Sequence, residues 1–140
     1  MSRVFWDTNL FIYLIEGTGD RSRQVLELYG RMRERGDSLF TSALTVGEVL
    51  VKPVERNNDA LRRRYEQALS SGATVLPFDI DAATHYAEIR QDRSIRPPDA
   101  IQLACAAAAE MDLFVTNDDR LTRKSVRGIH FIQPLGNAFI

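Results

Sequence analysis

The sequence predicts an α/β protein, a three-layer α/β/α sandwich built on a central, mostly parallel sheet. Three observations predict it. Short apolar runs bounded by polar or turn residues alternate with segments of helical periodicity along the whole chain. That alternation is the signature of strands joined by helical crossovers, which cover a parallel sheet on both faces. At 140 residues, with no internal repeat, low-complexity tract or linker, residues 1–140 form one domain.

Taken in order, RVFW (3–6) is an apolar run that stops at Asp7 and reads as a buried strand. TNLFIYLIE (8–16) begins a helix that ends near Gly17. Residues 21–35 place Val25, Leu28, Tyr29 and Met32 at helical spacing, and Gly36 closes that helix. SLFT (38–41) is a second strand, after which Ser42 offers an N-cap to a helix through ALTVGEVLVK that stops before Pro53. A polar, arginine-rich helix follows over 58–71, ending at Gly72. ATVLPF (73–78) reads as a strand and 81–91 as a helix. The next helix opens at Pro97-Pro98-Asp99, where proline suits a first turn, and runs to Glu110. DLFVT (112–116) is a strand, 118–124 a short helix and GIHFI (128–132) a last strand.

Composition narrows the setting more than the function. The chain is 44% hydrophobic and 26% charged, as in ordinary soluble domains. No apolar run approaches the roughly 18 residues of a membrane span, and AIQLACAAAA (100–109) reads as a buried helix. A charged residue near the apolar start of MSRVFWDTN argues against a cleavable signal peptide. A single cysteine, Cys105, excludes a disulfide framework, fits a reducing cytoplasm and reads as a buried structural thiol. The net charge of −1 does not mark a nucleic-acid binder. Nearly all the positive charge is nevertheless arginine, which suits bidentate phosphate contacts, with lysine only at Lys52 and Lys124. The cluster Arg62-Arg63-Arg64 reads as a solvated helix face.

Standard motifs are missing: no Walker A loop, no GxGxxG after a strand, no HExxH, no CxxC and no GxSxG elbow. His85 and His130 are too few for most zinc sites, and His130 falls inside a strand as a packed or surface residue. Carboxylates remain. Asp7 and Asp118 each follow an apolar strand, where ligands of open α/β sheets gather, although either could instead cap the next helix. Asp119 is adjacent and could exchange roles with Asp118. Glu48 lies in the otherwise apolar LTVGEVLV, where a charge is costly unless paired, metal-bound or at a solvent-touching edge. Asp99 opens a helix, which the macrodipole alone would favour. Four acids on four elements would make an all-oxygen site of the kind that takes Mg²⁺ or Mn²⁺.

FWDTNLFIYLIEG, TSALTVGEVL, RPPDAIQLACAAA and LFVTNDDRL resemble, in order, the four motifs of PIN domains, and they span nearly the whole chain. In its length the chain looks most like the toxin of VapBC-type toxin–antitoxin pairs. The resemblance implies a PIN-like sandwich and an Mg²⁺- or Mn²⁺-dependent ribonuclease whose metal is held by Asp7, Glu48, Asp99 and Asp118. It further implies that Thr8 orients the first acid and that Thr116 and Asn117 support the fourth. Arg96 and Arg120, each within three residues of a site acid, are candidate phosphate contacts or plain ion-pair residues. An RNA substrate, a cognate antitoxin and a homodimer are the implied partners.

Three rivals fit less well. A haloacid-dehalogenase-type phosphatase wants Asp-x-Asp after its first strand, and here Asp7-Thr8-Asn9 stands. A phosphoacceptor receiver needs an acidic pair ahead of its first-strand Asp, and no acid precedes Asp7. A PIN-like fold that binds RNA without cutting would be expected to have lost acids that this chain retains.

Overall fold

Val4 and Trp6 of strand β1 (Arg3–Trp6) face one hydrophobic layer while Phe5, between them, faces another. That two-residue period, with both faces buried, is what a central strand of a covered parallel sheet requires. The computed structural model describes residues 1–138. Five strands, β1, β2 (Ser38–Ser42), β3 (Thr74–Leu76), β4 (Met111–Thr116) and β5 (Ile129–Pro134), form one sheet in the order β3-β2-β1-β4-β5. Every pairing is parallel, with Val4 opposite Leu39 on one side and Leu113 on the other.

The first layer holds helices α1 (Thr8–Glu16), α2 (Asp20–Arg35), α3 (Ala43–Glu55) and α4 (Asp59–Gly72). Phe11, Leu28, Val49 and Tyr65 from these helices pack with Trp6 and Val115 of the sheet. The opposite layer holds α5 (Ile80–Ile89) and α6 (Pro97–Ala108), whose Leu103 and Ala104 pack with Phe5 and Phe114. Those two phenyl rings are stacked, with centroids 5.0 Å apart. The alanines of α6 admit close approach: a Cβ on Gly128 would lie 2.5 Å from the Ala107 carbonyl oxygen, and Gly128 has φ +100°. The chain runs outward from β1 to β3, then returns to β4 on the other side of β1. That reversal opens a crevice at the carboxyl ends of β1 and β4.

The sandwich and its elements follow the sequence reading, with four corrections. Helix α3 does not stop before Pro53 but passes through it to Glu55. A proline near the end forfeits a single hydrogen bond, and Arg56 N–H still reaches Lys52 O while Asn57 and Asn58 N–H close on Val54 O and Pro53 O. Asn57, at φ +53°, supplies the left-handed residue of that closure, a Schellman end. Residues 118–124 form consecutive turns rather than a helix. Leu121 N–H bonds Asp118 O and Lys124 N–H bonds Leu121 O, three-residue spacings in a segment too short to sustain a helical nucleus. Strand β3 is shorter than 73–78 because Pro77 cannot donate to a ladder. The helix opening at Pro97 ends at Ala108, before Glu110, which adopts φ +59°.

Candidate metal centre

Asp7 ends β1 and stands at the N-cap of α1, accepting the Thr8 N–H at Oδ1 across 2.8 Å. Its other oxygen, Oδ2, accepts the hydroxyl of Thr116, the last residue of β4, at 2.9 Å. The capping and site-facing readings of Asp7 therefore describe one geometry. Burial pushes the Asp7 carboxyl up to about 6, against the lowering effect of those two bonds, and the negative charges of Asp99 and Glu48 add to the rise. Among the described residues no arginine, lysine or histidine forms an ion pair with Asp7 or Glu48.

Glu48 lies on the solvent edge of α3, one turn from buried Thr45 and Val49, so the apolar helix around it is amphipathic rather than wholly buried. Of the alternatives left open for Glu48, the solvent-touching helix edge is the one observed. Thr8 Oγ1 donates to Glu48 Oε1 at 2.6 Å, so the threonine that follows the first acid orients the second one with its hydroxyl. Asp99, in the first turn of α6, is half-buried and its carboxyl is raised, first by burial and then by Asp118, with Arg96 and Arg120 opposing. Arg96 Nε stands 3.9 Å from Asp99 Oδ2. Asp118 is held below the usual carboxylate range, first by Arg120, whose Nη2 and Nε donate at 2.8 and 3.1 Å. Of the tandem acids, Asp118 is half-buried beside Asp99 while Asp119 is exposed.

The four acids thus surround the crevice and act on one another, but each is taken up by a local partner. Among the described residues no three acid, histidine or cysteine side chains close on one point as a metal-binding group. Mutual repulsion accounts for this: carboxylates without a shared cation turn to arginine or hydroxyl partners within reach. The donor set still suits a hard divalent cation, being all carboxylate oxygen. Asp7 adds a half-buried carboxylate near two other acids with no cation of its own.

Thr116 and Asn117 part ways. Thr116 Oγ1 accepts the Asp118 N–H at 3.0 Å, whereas Asn117 Nδ2 turns away to the Tyr13 hydroxyl at 3.2 Å. Beneath the acids lies a buried polar cluster, Thr41, Ser42, Thr45 and Gln102, of which the sequence reading singled out only Ser42, as a helix cap. Ser42 stands at the N-cap of α3, yet its hydroxyl donates to Gln102 Oε1 and not to the helix. The available signal was an amide inside the Ala-rich α6, three residues past Asp99 and so on the same face. His130 pairs with Asp112 on the surface at 3.3 Å, and Cys105 is buried. No helix among the described residues is long and apolar enough to cross a membrane.

The family model described as the PIN domain matches residues 4–126, a span that holds all four acids. No curated protein matches the sequence. Among solved structures, the chain superposes on VapBC2 from Rickettsia felis bound to a promoter DNA fragment with a TM-score of 0.76. Identity there is 14%, over 94% of this chain and 98% of that one. DNA-bound VapBC from Salmonella typhimurium gives 0.68 at 22% identity, covering 96% and 99% of the two chains. A toxin–antitoxin complex from Klebsiella pneumoniae gives 0.66 at 23%, covering 90% and 94%. At these identities the likeness is one of fold.

Proposed function

This chain belongs to the PIN-domain family, and from that premise we propose that it is a divalent-metal-dependent endoribonuclease, the toxin of a toxin–antitoxin pair. The observation that carries the reading is Asp7, a half-buried carboxylate at the sheet crevice whose charged neighbours are Asp99 and Glu48 and which lacks a cationic partner. Asp7, Glu48, Asp99 and Asp118 would hold Mg²⁺ or Mn²⁺. When bound, such an ion supplies a Lewis acid that neutralises charge at the scissile phosphate and eases deprotonation of the attacking water.

The chain's own groups do the rest. Thr116 holds Asp7 and the Asp118 backbone in register, and Thr8 fixes one oxygen of Glu48. Arg96 and Arg120, which pair with Asp99 and Asp118, would exchange those carboxylates for RNA phosphate as the strand enters. Their guanidinium charge offsets the repulsion that an anionic pocket otherwise presents to a polyanion.

The test is cleavage by purified protein. RNA should be cut with Mg²⁺ or Mn²⁺ and left intact with EDTA, and the products should carry 5′-phosphate and 3′-hydroxyl ends because water attacks. Activity surviving exhaustive chelation, or 2′,3′-cyclic phosphate ends, would overturn the metal mechanism. A toxin role adds growth arrest on expression and rescue by a small cognate protein that sets a basic side chain against the acids. The groove beside Glu48, where Ile12, Val49 and Val51 lie among Glu16, Lys52 and Arg56, suits a segment of that partner that carries both apolar and charged side chains. Normal growth under induction of RNA-cleaving protein would leave a housekeeping RNA-processing role. Structures of this fold in toxin–antitoxin complexes support the partner, and sizing chromatography would test the proposed homodimer.

A further inference from the structure

We propose that Gln102 is a positioning residue of the metal centre, fixing the direction of hydrogen bonding so that Thr8 donates to Glu48. The inference rests on the metal-site reading above. Gln102 is 2% exposed, and its side-chain nitrogen bonds Thr8 Oγ1 at 2.9 Å and Thr45 Oγ1 at 2.8 Å. A primary amide has two donor hydrogens, so both are used. Its carbonyl oxygen accepts from Ser42 Oγ. Each threonine hydroxyl therefore receives a proton from the amide and must send its own elsewhere. Thr8 sends its proton to Glu48 Oε1 at 2.6 Å. Thr41 Oγ1 donates to Trp6 O at 3.0 Å and lies 2.8 Å from Thr45 Oγ1, which is also 3.2 Å from Thr8 Oγ1.

The sense of this network is tied to the orientation of the amide. Were the amide reversed, its oxygen would face Thr8 and Thr45, and the Thr8 proton would be drawn to it and away from Glu48. Glu48 Oε1 and Trp6 O can only accept, so they turn the threonine protons outward, and the amide nitrogen faces the threonines while the Ser42 hydroxyl donates to Oε1. Buried networks of this kind hold their direction because no bulk water is present to exchange partners. The amide also ties α6, which carries Asp99, to α1 beside Asp7 and to α3, which carries Glu48. Three of the four acid-bearing segments meet on a single side chain, and Thr116 joins the fourth to Asp7. Partners of this sort are the ones whose loss weakens a metal site without removing a ligand.

The experiment is a divalent-metal titration of the whole chain read by thermal unfolding, for the parent, Gln102→Met, Thr8→Val and the double variant. Methionine matches the length of glutamine and donates nothing. Gln102→Met should unfold cooperatively and need about tenfold more Mn²⁺ for half of the parent's stabilisation. Thr8→Val should do the same, and the double variant should be no worse than either single one, because both break one path. Thr8→Ser, which restores the hydroxyl, should return the parent's Mn²⁺ midpoint. Should Gln102→Met fail to fold, Ser42→Ala asks the same question by releasing the anchor that sets the amide, and it should also raise the midpoint. An unchanged midpoint in these folded variants, or strictly additive effects, overturns the proposal. A parent that Mn²⁺ does not stabilise at all overturns the metal reading itself, and the role of Gln102 with it.

Discussion

Thr116 Oγ1 donates to Asp7 Oδ2 across 2.9 Å, joining the carboxyl ends of β4 and β1 where the strand order turns back. The same hydroxyl oxygen accepts the Asp118 N–H at 3.0 Å, so one fully buried side chain sets two of the site acids. Thr116→Val keeps the shape and strands both partners. It should cost about 1–3 kcal/mol in urea unfolding, the range for a buried polar group left unpaired. Losing the Thr116 bond also removes a lowering influence on Asp7, so Mn²⁺ should stabilise the variant only at higher pH than the parent. Thr116→Ser should retain both properties. Equal stability and equal pH response in Thr116→Val would show that the bond carries neither role.

Asp7 predicts a pH dependence with a definite sign. Its carboxyl is raised from 3.8 to about 6 in the folded protein. Between those values the folded chain binds a proton that the unfolded chain has released, so stability falls as pH rises through that window. The loss is at most about 3 kcal/mol at 1.36 kcal/mol per unit. Asp7→Asn keeps an acceptor for Thr8 and removes the charge. It should therefore be at least as stable as the parent at neutral pH, with a flatter stability profile between pH 4 and 6, and should lack nuclease activity. Protons compete with the cation at this carboxyl, so metal stabilisation of the parent should fade as pH drops below about 6. An Asp7→Asn protein that still cuts RNA would refute the central reading.

The residues that announced themselves in the sequence were those that interrupt an apolar pattern. β1 and β4 were legible as apolar runs, Asp7 because it directly follows the first and Asp118 because it lies two residues past the second. What the pattern could not supply was pairing. Thr8 looked like a helper of Asp7, but its hydroxyl belongs to Glu48, a partner 40 positions away that only the placing of α3 against α1 supplies. Ser42 looked like a helix cap for the same reason: its partner Gln102 lies 60 positions off and wins the hydroxyl. Pro53 looked like a stop because local rules weigh the missing N–H and not the Schellman closure that Asn57 completes directly after Arg56, the last ordinary donor. The short segment 118–124 has polar residues at helical density, but only Leu121 among its side chains is buried, too little packing to hold a helix.

Gly128 predicts a failure of the fold rather than of the site. It turns the chain into β5 at φ +100°, and a Cβ there would meet the Ala107 carbonyl oxygen at 2.5 Å and its carbonyl carbon at 3.0 Å. Both obstacles are backbone, so no side-chain rearrangement relieves them. Gly128→Ala combines a backbone conformation that costs an L-residue about 1–3 kcal/mol with a displacement of α6 from β5. Thermal unfolding should show a large drop in Tm or no folded protein. A Tm within a degree or two of the parent would mean that α6 can move off the sheet freely.

Arg120 distinguishes a guard from a surface ion pair. Its guanidinium engages both oxygens of Asp118, holding that carboxylate below its usual range, and it stands on the exposed side of the crevice. In the absence of a cation it therefore competes for an acid that the metal site needs. Arg120→Ala should release Asp118 and lower the Mn²⁺ concentration needed for stabilisation by a few-fold, a modest gain because exposed pairs are weak. The same substitution removes a phosphate partner, so KM for RNA should rise. The dependence of log KM on log salt should flatten by about 0.7, the share of one phosphate contact on a single strand. Opposite movement of metal midpoint and KM is the signature of a side chain that leaves the acid for the substrate. Arg120→Lys keeps the charge but not the two-pronged contact, and should restore the salt slope more fully than the KM. If Arg120→Ala changes neither quantity, the pair with Asp118 is surface decoration and phosphate is drawn in by other groups.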